Sequence, residues 1–309
     1  MDDAPRQPIA LLTLIRHAES RANVERVLQG VTDAPLSERG QDQLRKLEAA
    51  WRPISETAMN MYELPAPSVL VTSPIGRARK TSAAVARGCG IVEVPEEDDT
   101  TYKSPPSEVP PPHVCPDTVL VDSALAERHY GSNECTKHSK RVPGFERPPA
   151  SELGRAESYD RFAKRVWIAG HKWLAWLETY AKEAQAGSRE ATPDNEATVT
   201  ELNSLPHLVL VTHGQWINAF LTQHAPTLRQ GSSAYYIRSD NTALFTMEVY
   251  PATKATETHV RVIRRNDTRH LGPAPQTRRS KHVAQATTLT SLWQRAEKSY
   301  TVDLGNNMS

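Results

Sequence analysis

The chain has 309 residues, and 37 Lys and Arg stand against 36 Asp and Glu, a formal net charge of +1 at pH 7. So even a balance sets up no overall field toward nucleic acid or an anionic membrane, and no run of about 18 apolar residues exists to span a bilayer. Cys89, Cys115 and Cys135 make no disulfide framework, and the polar start M-D-D-A-P-R-Q-P has no apolar signal core, so a cytoplasmic globular protein with neither a nucleic-acid nor a membrane partner is expected.

After a lead-in over residues 1–8, L-L-T-L-I at 11–15 is a short apolar run ending in polar residues, the pattern of a buried strand. Ser37 is placed to cap a helix that carries Leu44, Leu47 and Trp51 at spacings of three and four. S-V-L-V-T at 68–72 predicts a second strand, and the Ala-rich stretch 77–88 predicts a helix stopped by Gly88 and Gly90. A third strand is expected at T-V-L-V, 118–121. Tyr159, Phe162, Ala163, Val166, Gly170, Trp173, Leu174, Leu177, Tyr180 and Ala181 then trace one apolar stripe, a helix from about 157 to 183 whose Trp167, Trp173 and Trp176 belong to core and rim. The fourth strand, L-V-L-V-T at 208–212, runs into a helix after His213 with Ile217, Phe220 and Leu221 on one side. A-L-F-T-M-E-V-Y at 243–250 and H-V-R-V-I-R at 259–264 alternate, which predicts two half-exposed edge strands.

The first four strands are apolar throughout, as strands covered on both faces of a parallel sheet are. Their alternation with helices predicts a three-layer α/β/α fold around a mostly parallel central sheet. Roughly 150 residues per domain would allow two domains, but the interruptions read as insertions in one. That domain covers 9–265, with polar or Pro-rich insertions near 95–117 and 185–205. Residues 266–309 make a basic C-terminal tail with a short amphipathic helix expected around 284–298.

Chemistry-bearing residues fall at strand ends. The first strand runs into Arg16-His17, the second into S-P-I-G-R-A-R-K-T with Arg77 and Arg79, and the fourth into T-H-G with His213 and Gly214. The carboxyl ends of strands are where open α/β sheets bind ligands, and the helix starting at Gly214 adds unpaired N–H groups suited to phosphate. A phosphate monoester is a dianion that arginines grip well, a neutral imidazole can take its phosphoryl group covalently, and the leaving alkoxide needs a proton. V-D-S-A-L-A-E-R-H-Y-G, after the third strand, supplies Glu127 as donor and later as base for water.

The run R-H-A-E-S-R-A-N followed by L-Q-G-V-T-D-A-P-L-S-E-R-G resembles the signature of the histidine phosphatase superfamily, also called phosphoglycerate-mutase-like. The resemblance continues in order through S-P-I-G-R-A-R-K-T, L-A-E-R-H-Y-G and L-V-T-H-G, over roughly residues 9–250. It implies a phosphoglycerate-mutase-like fold and a phosphomonoester hydrolase with a small phosphorylated substrate. His17 would be the nucleophile, Glu127 the proton donor and His213 a partner of the phosphoryl oxygens. Arg16, Arg77, Asn23 and Gly214 would line the phosphate pocket, and Arg128 and Tyr130 would face substrate. No metal or cofactor is implied, because arginine and histidine supply the positive charge. Ala18 stands where the family commonly has Gly, and S-N-E-C follows Gly131 where an aromatic residue and another Gly are common.

Plainer roles compete at several positions. A histidine at a strand end is ordinarily structural; two of them in register with two arginines favour a site. Arg79 is expected to face solvent, since Arg77 holds the matching position. His113-x-Cys115 and Cys135-x-x-His138 offer two Cys and two His to a zinc ion, but H-x-C is poor ligand spacing and that first pair sits beside a Pro-rich loop. A 2,3-bisphosphoglycerate-dependent phosphoglycerate mutase, suggested by E-R-H-Y-G, is the alternative enzyme. A catalytically idle binding relative is the alternative class.

Overall fold

The structure, a computed structural model, describes residues 7–54, 59–91, 118–147, 149, 151, 154–190, 205–225, 237–252 and 259–272, all within the unit Met1–Gly272. In chain order the strands are β1 (Ala10–Arg16), β2 (Val69–Thr72), β3 (Leu120–Val121), β4 (Thr136–Lys137), β5 (Lys140–Arg141), β6 (His207–Thr212), β7 (Leu244–Tyr250) and β8 (His259–Asp267). The main helices are α1 (Arg21–Glu25), α2 (Glu38–Trp51), α3 (Gly76–Cys89), α4 (Tyr159–Glu190) and α5 (Gly214–His224). The central sheet has six strands in the order β3-β2-β6-β1-β7-β8, while β4 and β5 form a separate hairpin. β3, β2, β6 and β1 pair in parallel, so their carboxyl ends meet along one edge; β7 and β8 add antiparallel strands beside β1.

Alternation along β1 sorts the two cores. Ala10, Leu12 and Leu14 face α4 and α5, packing with Phe162, Trp173, Leu177, Trp216 and Phe220. Leu11 and Ile15 face α2 and α3, packing with Leu47, Trp51, Ala78 and Val85. This is the three-layer arrangement expected from the sequence. Ser37 caps α2 by accepting from the Gly40 N–H at 2.9 Å. Gly90 ends α3 with φ +79°, the left-handed conformation that favours glycine. Gly88, read as a stop, lies inside that helix instead, and a Cβ there would meet the Glu48 carbonyl at 2.5 Å, so it serves the close approach of α2 and α3.

Three further expectations change. β7 is not an edge strand, since β8 pairs along its outer side. It is buried along its whole length, with Phe245, Met247 and Val249 in one core and Leu244 in the other; only β8 has the half-exposed pattern. α4 continues to Glu190, past the expected stop near 183. Arg79 is buried, since α3 turns most of its surface into the protein. On α4, Trp173 is buried whereas Trp167 is 47% exposed. The 95–117 insertion, the end of the 185–205 insertion, His113, Cys115 and the helix expected at 284–298 lie outside the described residues. Among the described residues no helix is long and apolar enough to cross a membrane.

One buried polar cluster ties the central strands together. Thr13 on β1 meets the His207 ring Nε2 at 2.8 Å and Thr246 on β7 at 3.1 Å, and His207 Nδ1 donates to the Pro65 carbonyl at 3.0 Å. Burial lowers His207 from 6.5 to about 4. Between those values the unfolded chain takes up a proton that the folded one refuses, so stability falls as pH drops through that window. The resistance of the protein to urea should therefore decline from pH 6.5 to 4, with up to about 3 kcal/mol of that slope due to this group. His207→Gln should flatten the slope; an unchanged slope would show that His207 is not its source.

Candidate active site

β1 and β6 are neighbours in register, with Arg16 opposite Thr212, so the next residues, His17 and His213, emerge side by side. Their ring centroids lie 5.1 Å apart. β2 lies on the other side of β6 and leads through Ser73 into α3, which carries Arg77 in its first turn. Arg77 is 1% exposed and its Nε–H donates to His17 Nε2 at 3.3 Å. Glu127, beyond β3, accepts from the backbone N–H groups of Arg128 at 2.9 Å and of Gln215 at 3.1 Å, the latter in the first turn of α5. Gly214 opens α5, and a Cβ there would sit 3.3 Å from Arg16 Nε, so glycine makes room for that guanidinium. The strand-end residues separated by up to 197 positions thus converge on one cluster.

Protonation follows from geometry. His17 Nδ1 lies 2.8 Å from the Ala18 carbonyl, which can only accept, so Nδ1 carries the proton and Nε2 keeps its lone pair. Burial, reinforced by Arg77 and Arg16, holds His17 well below the ordinary imidazole value of 6.5. Burial and the same arginines, with His17, do likewise for His213. His213 Nε2 pairs with Ser73 Oγ at 2.8 Å, and its Nδ1 is buried without a hydrogen-bond partner. Burial raises Glu127 above the usual carboxylate value of 4.5, against the pull of two backbone N–H groups, Arg77 and Arg16. Two neutral imidazoles, two cations and a carboxylate biased toward its acid form make a pocket suited to an oxyanion.

The remaining expected residues sit around this cluster. Asn23 Oδ1 accepts from the Ser20 N–H at 3.1 Å and from Asn241 Nδ2 at 3.2 Å, which fixes the amide and leaves its NH2 as the donor end. Arg128 donates through Nε to the Glu157 carbonyl at 2.9 Å, with its guanidinium carbon 5.5 Å from the Tyr130 ring centre. Burial, with Glu127 nearby, raises the Tyr130 phenol further above its ordinary value. Among the described residues no group of three or more His, Cys, Asp or Glu side chains is arranged to hold a metal ion.

Several supporting residues had no sequence signal. The segment before β7 wraps the end of β1: Ser239 offers its carbonyl to Arg16 Nη1, Asn241 Nδ2 donates to the His17 carbonyl at 2.9 Å, and the Thr242 N–H donates to the Arg16 carbonyl at 3.0 Å. Thr242 does so with φ +60°, an uncommon conformation for a β-branched residue. Glu134, in the S-N-E-C departure, is fully buried. It accepts from the N–H groups of Gly30, Val31, Thr32 and Tyr130 and from the Thr32 hydroxyl, at 2.5–3.1 Å. The loop it organises presents the Gly30 and Thr32 carbonyls to Arg77 Nη2 and Nη1 at 2.7 and 2.9 Å.

Glu134 is thus the cradle beneath Arg77. Glu134→Ala should cost at least about 2 kcal/mol in urea denaturation, because it strands several buried donors at once. A loss within about 0.5 kcal/mol, as at an ordinary surface position, would refute that role.

Parts of the chain match known proteins. Residues 12–100 match the profile of the histidine phosphatase superfamily (branch 1). The probable phosphoglycerate mutase GpmB of Photorhabdus laumondii is 38% identical over 166 residues, covering 50% of this chain and 59% of that protein. The protein of the same name from Cronobacter sakazakii is 32% identical over 77 residues, or 25% and 31% of the two chains. The chain therefore spans less than two thirds of the length of these relatives. Among solved structures, the mycobacterial glucosyl-3-phosphoglycerate phosphatase superposes with a TM-score of 0.46 at 18% identity, over 84% of this chain and 99% of that one. The alpha-ribazole phosphatase of Shigella flexneri does so with 0.44 at 16%, over 83% and 96%. The matching profile covers the motif of β1 and that of α3, so that over residues 12–100 the chain is similar to the histidine phosphatase superfamily.

Proposed function

We propose that the protein is a phosphomonoester hydrolase that acts on a small phosphorylated metabolite through a phosphohistidine at His17. The observation that carries this reading is the fixed tautomer of His17: Nδ1–H is spent on Ala18, and the lone pair of Nε2 faces Arg77. In the first step Nε2 attacks phosphorus, the P–O ester bond breaks, and the Glu127 acid gives its proton to the leaving oxygen. In the second, the Glu127 carboxylate takes a proton from water, the water oxygen attacks phosphorus, the N–P bond breaks and inorganic phosphate departs. Arg16, Arg77, His213, Asn23 and the α5 N-terminus at Gly214 neutralise the phosphoryl oxygens, as preorganised donors do where charge develops. Arg128 and Tyr130 border the leaving group. Cys89 and Cys135 are free thiols, in keeping with a reducing cytoplasm.

Phosphoglycerate mutase is the second reading, favoured by the name of the GpmB relatives and by the E-R-H-Y-G run at 127–131. A mutase returns the phosphoryl group to an alcohol, whereas the present reading delivers it to water. Release of inorganic phosphate from para-nitrophenyl phosphate and from small alkyl phosphates, lost in His17→Ala, is the expected result. Interconversion of 2- and 3-phosphoglycerate on addition of the bisphosphate, without net release, would instead establish the mutase.

Two kinetic outcomes follow. Glu127→Gln should cut kcat/KM, which reports only the transfer to His17, by about 10²–10⁴-fold for an alkyl phosphate while sparing kcat/KM for para-nitrophenyl phosphate, whose leaving group needs little protonation. Equal losses would remove Glu127 as the acid. In the wild type kcat/KM should rise with pH through the His17 ionisation, below 6.5, and fall through that of Glu127, above 4.5. The falling limb should vanish in Glu127→Gln; its persistence there would assign it to another group.

A further inference from the structure

Arg165, on the second turn of α4, stands behind the segment that carries Glu127 and touches neither histidine. Its guanidinium has five N–H groups. Nη1 donates to the carbonyls of Ala124 and Ala126 at 3.0 and 2.9 Å, and Nη2 donates to that of Glu127 at 3.3 Å. Nη2 and Nε also hold the Glu157 carboxylate at 2.8 and 3.0 Å. Glu157 in turn grips the next residues: its N–H donates to the His129 carbonyl at 2.8 Å, and its carbonyl accepts from Arg128 Nε at 2.9 Å. One fork therefore fixes the main chain on both sides of Glu127, while the carboxylate itself is held from the front by the Arg128 and Gln215 N–H groups.

We propose that Arg165, locked by Glu157, is a positioning residue for the Glu127 carboxylate, setting where its proton is delivered. The kinetic half of this proposal rests on the reading of Glu127 as the acid. Three carbonyls from one stretch that leaves a 3-10 turn at Ser123–Leu125, met by one planar group, are a specification of backbone geometry. The site needs one, because a displacement of about 1 Å in a reacting group can cost about 10²-fold in rate. The ammonium of lysine cannot reproduce the planar fork. The same stretch is tied down independently where Trp216 Nε1 donates to the Ala124 carbonyl at 2.9 Å and Thr212 Oγ1 to the Leu125 carbonyl at 2.7 Å. Loss of the fork should therefore loosen the Glu127 end of the segment and leave the fold in place.

The test uses the full chain as wild type, Arg165→Gln, Arg165→Lys and Glu127→Gln, with thermal melting to confirm folding. The amide signals of Arg128 and Gln215 are followed by NMR as pH varies, and hydrolysis of an alkyl phosphate is compared with that of para-nitrophenyl phosphate. In the wild type both amides should report one shared titration, that of Glu127. In Arg165→Gln, and nearly as much in Arg165→Lys, the shared titration should be lost. Alkyl phosphate turnover should fall about 10–100-fold, against less than about threefold for the aryl ester. Amides that titrate together as before in both variants, or losses equal for both esters while Glu127→Gln still discriminates between them, would overturn the proposal. If Glu127→Gln fails to discriminate, the acid assignment falls, and the amide titration alone decides whether Arg165 positions that carboxylate.

Discussion

The site depends on a buried guanidinium whose partners are mostly neutral. Arg77 gives its donors to two backbone carbonyls and to an imidazole lone pair; among the described residues the carboxylate it pairs with directly is Asp33, 37% exposed at 3.3 Å, while Glu127 and Glu134 act on it from farther off. A cation so placed is solvated largely by neutral groups, and a second, Arg16, lies at the end of β1. Burying charge in this way is costly unless the geometry is well satisfied, and the molecule meets that cost with Glu134 beneath the Arg77 loop and the 239–242 segment around Arg16. The result is a pocket with an unmet demand for negative charge. Burial, reinforced by the two arginines, keeps both histidines neutral, and burial holds Glu127 toward its acid form against the pull of those same arginines.

Much of this was legible in the chain because it is written at strand ends. Arg16-His17 and His213-Gly214 each follow an apolar run, and parallel pairing of β1 with β6 turns that sequence position into spatial adjacency. Arg77 and Glu127 follow by the same logic from β2 and β3. The apolar run of β1 predicted cover on both sheet faces and the stripe on α4 predicted one packed helix face, because local pattern and burial coincide there.

What was not legible acts at long range through main-chain groups. Glu134 reaches back about a hundred positions to the N–H groups of residues 30–32, and Arg165 binds carbonyls about forty positions earlier. A carbonyl has no residue type, so no spacing rule announces such a partner. Asn241 is similar, since it orders Asn23 and the His17 carbonyl from the segment before β7, more than two hundred positions later in the chain. Arg79 was misread because helix periodicity says nothing about a helix packed on several sides. β7 was misread because alternation cannot reveal that another strand covers the edge.

These supporting residues also bear on how members with one chemistry could differ. Glu134 lies in the stretch S-N-E-C, where this chain departs from the common pattern after Gly131, and yet it underpins the arginine loop. The segment that carries Tyr130 is tied to the same carboxylate through its N–H at 2.9 Å. Changes in that segment would thus affect the loop that holds Arg77 together with the placement of Tyr130. The most direct test of the account is a crystal structure with orthovanadate, which adopts the geometry of phosphoryl transfer. Vanadium bonded to Nε2 of His17, with oxygens on Arg16, Arg77 and His213 and an apical oxygen toward Glu127, is the expected result; vanadate bound away from Nε2, or shared by none of these side chains, would contradict it.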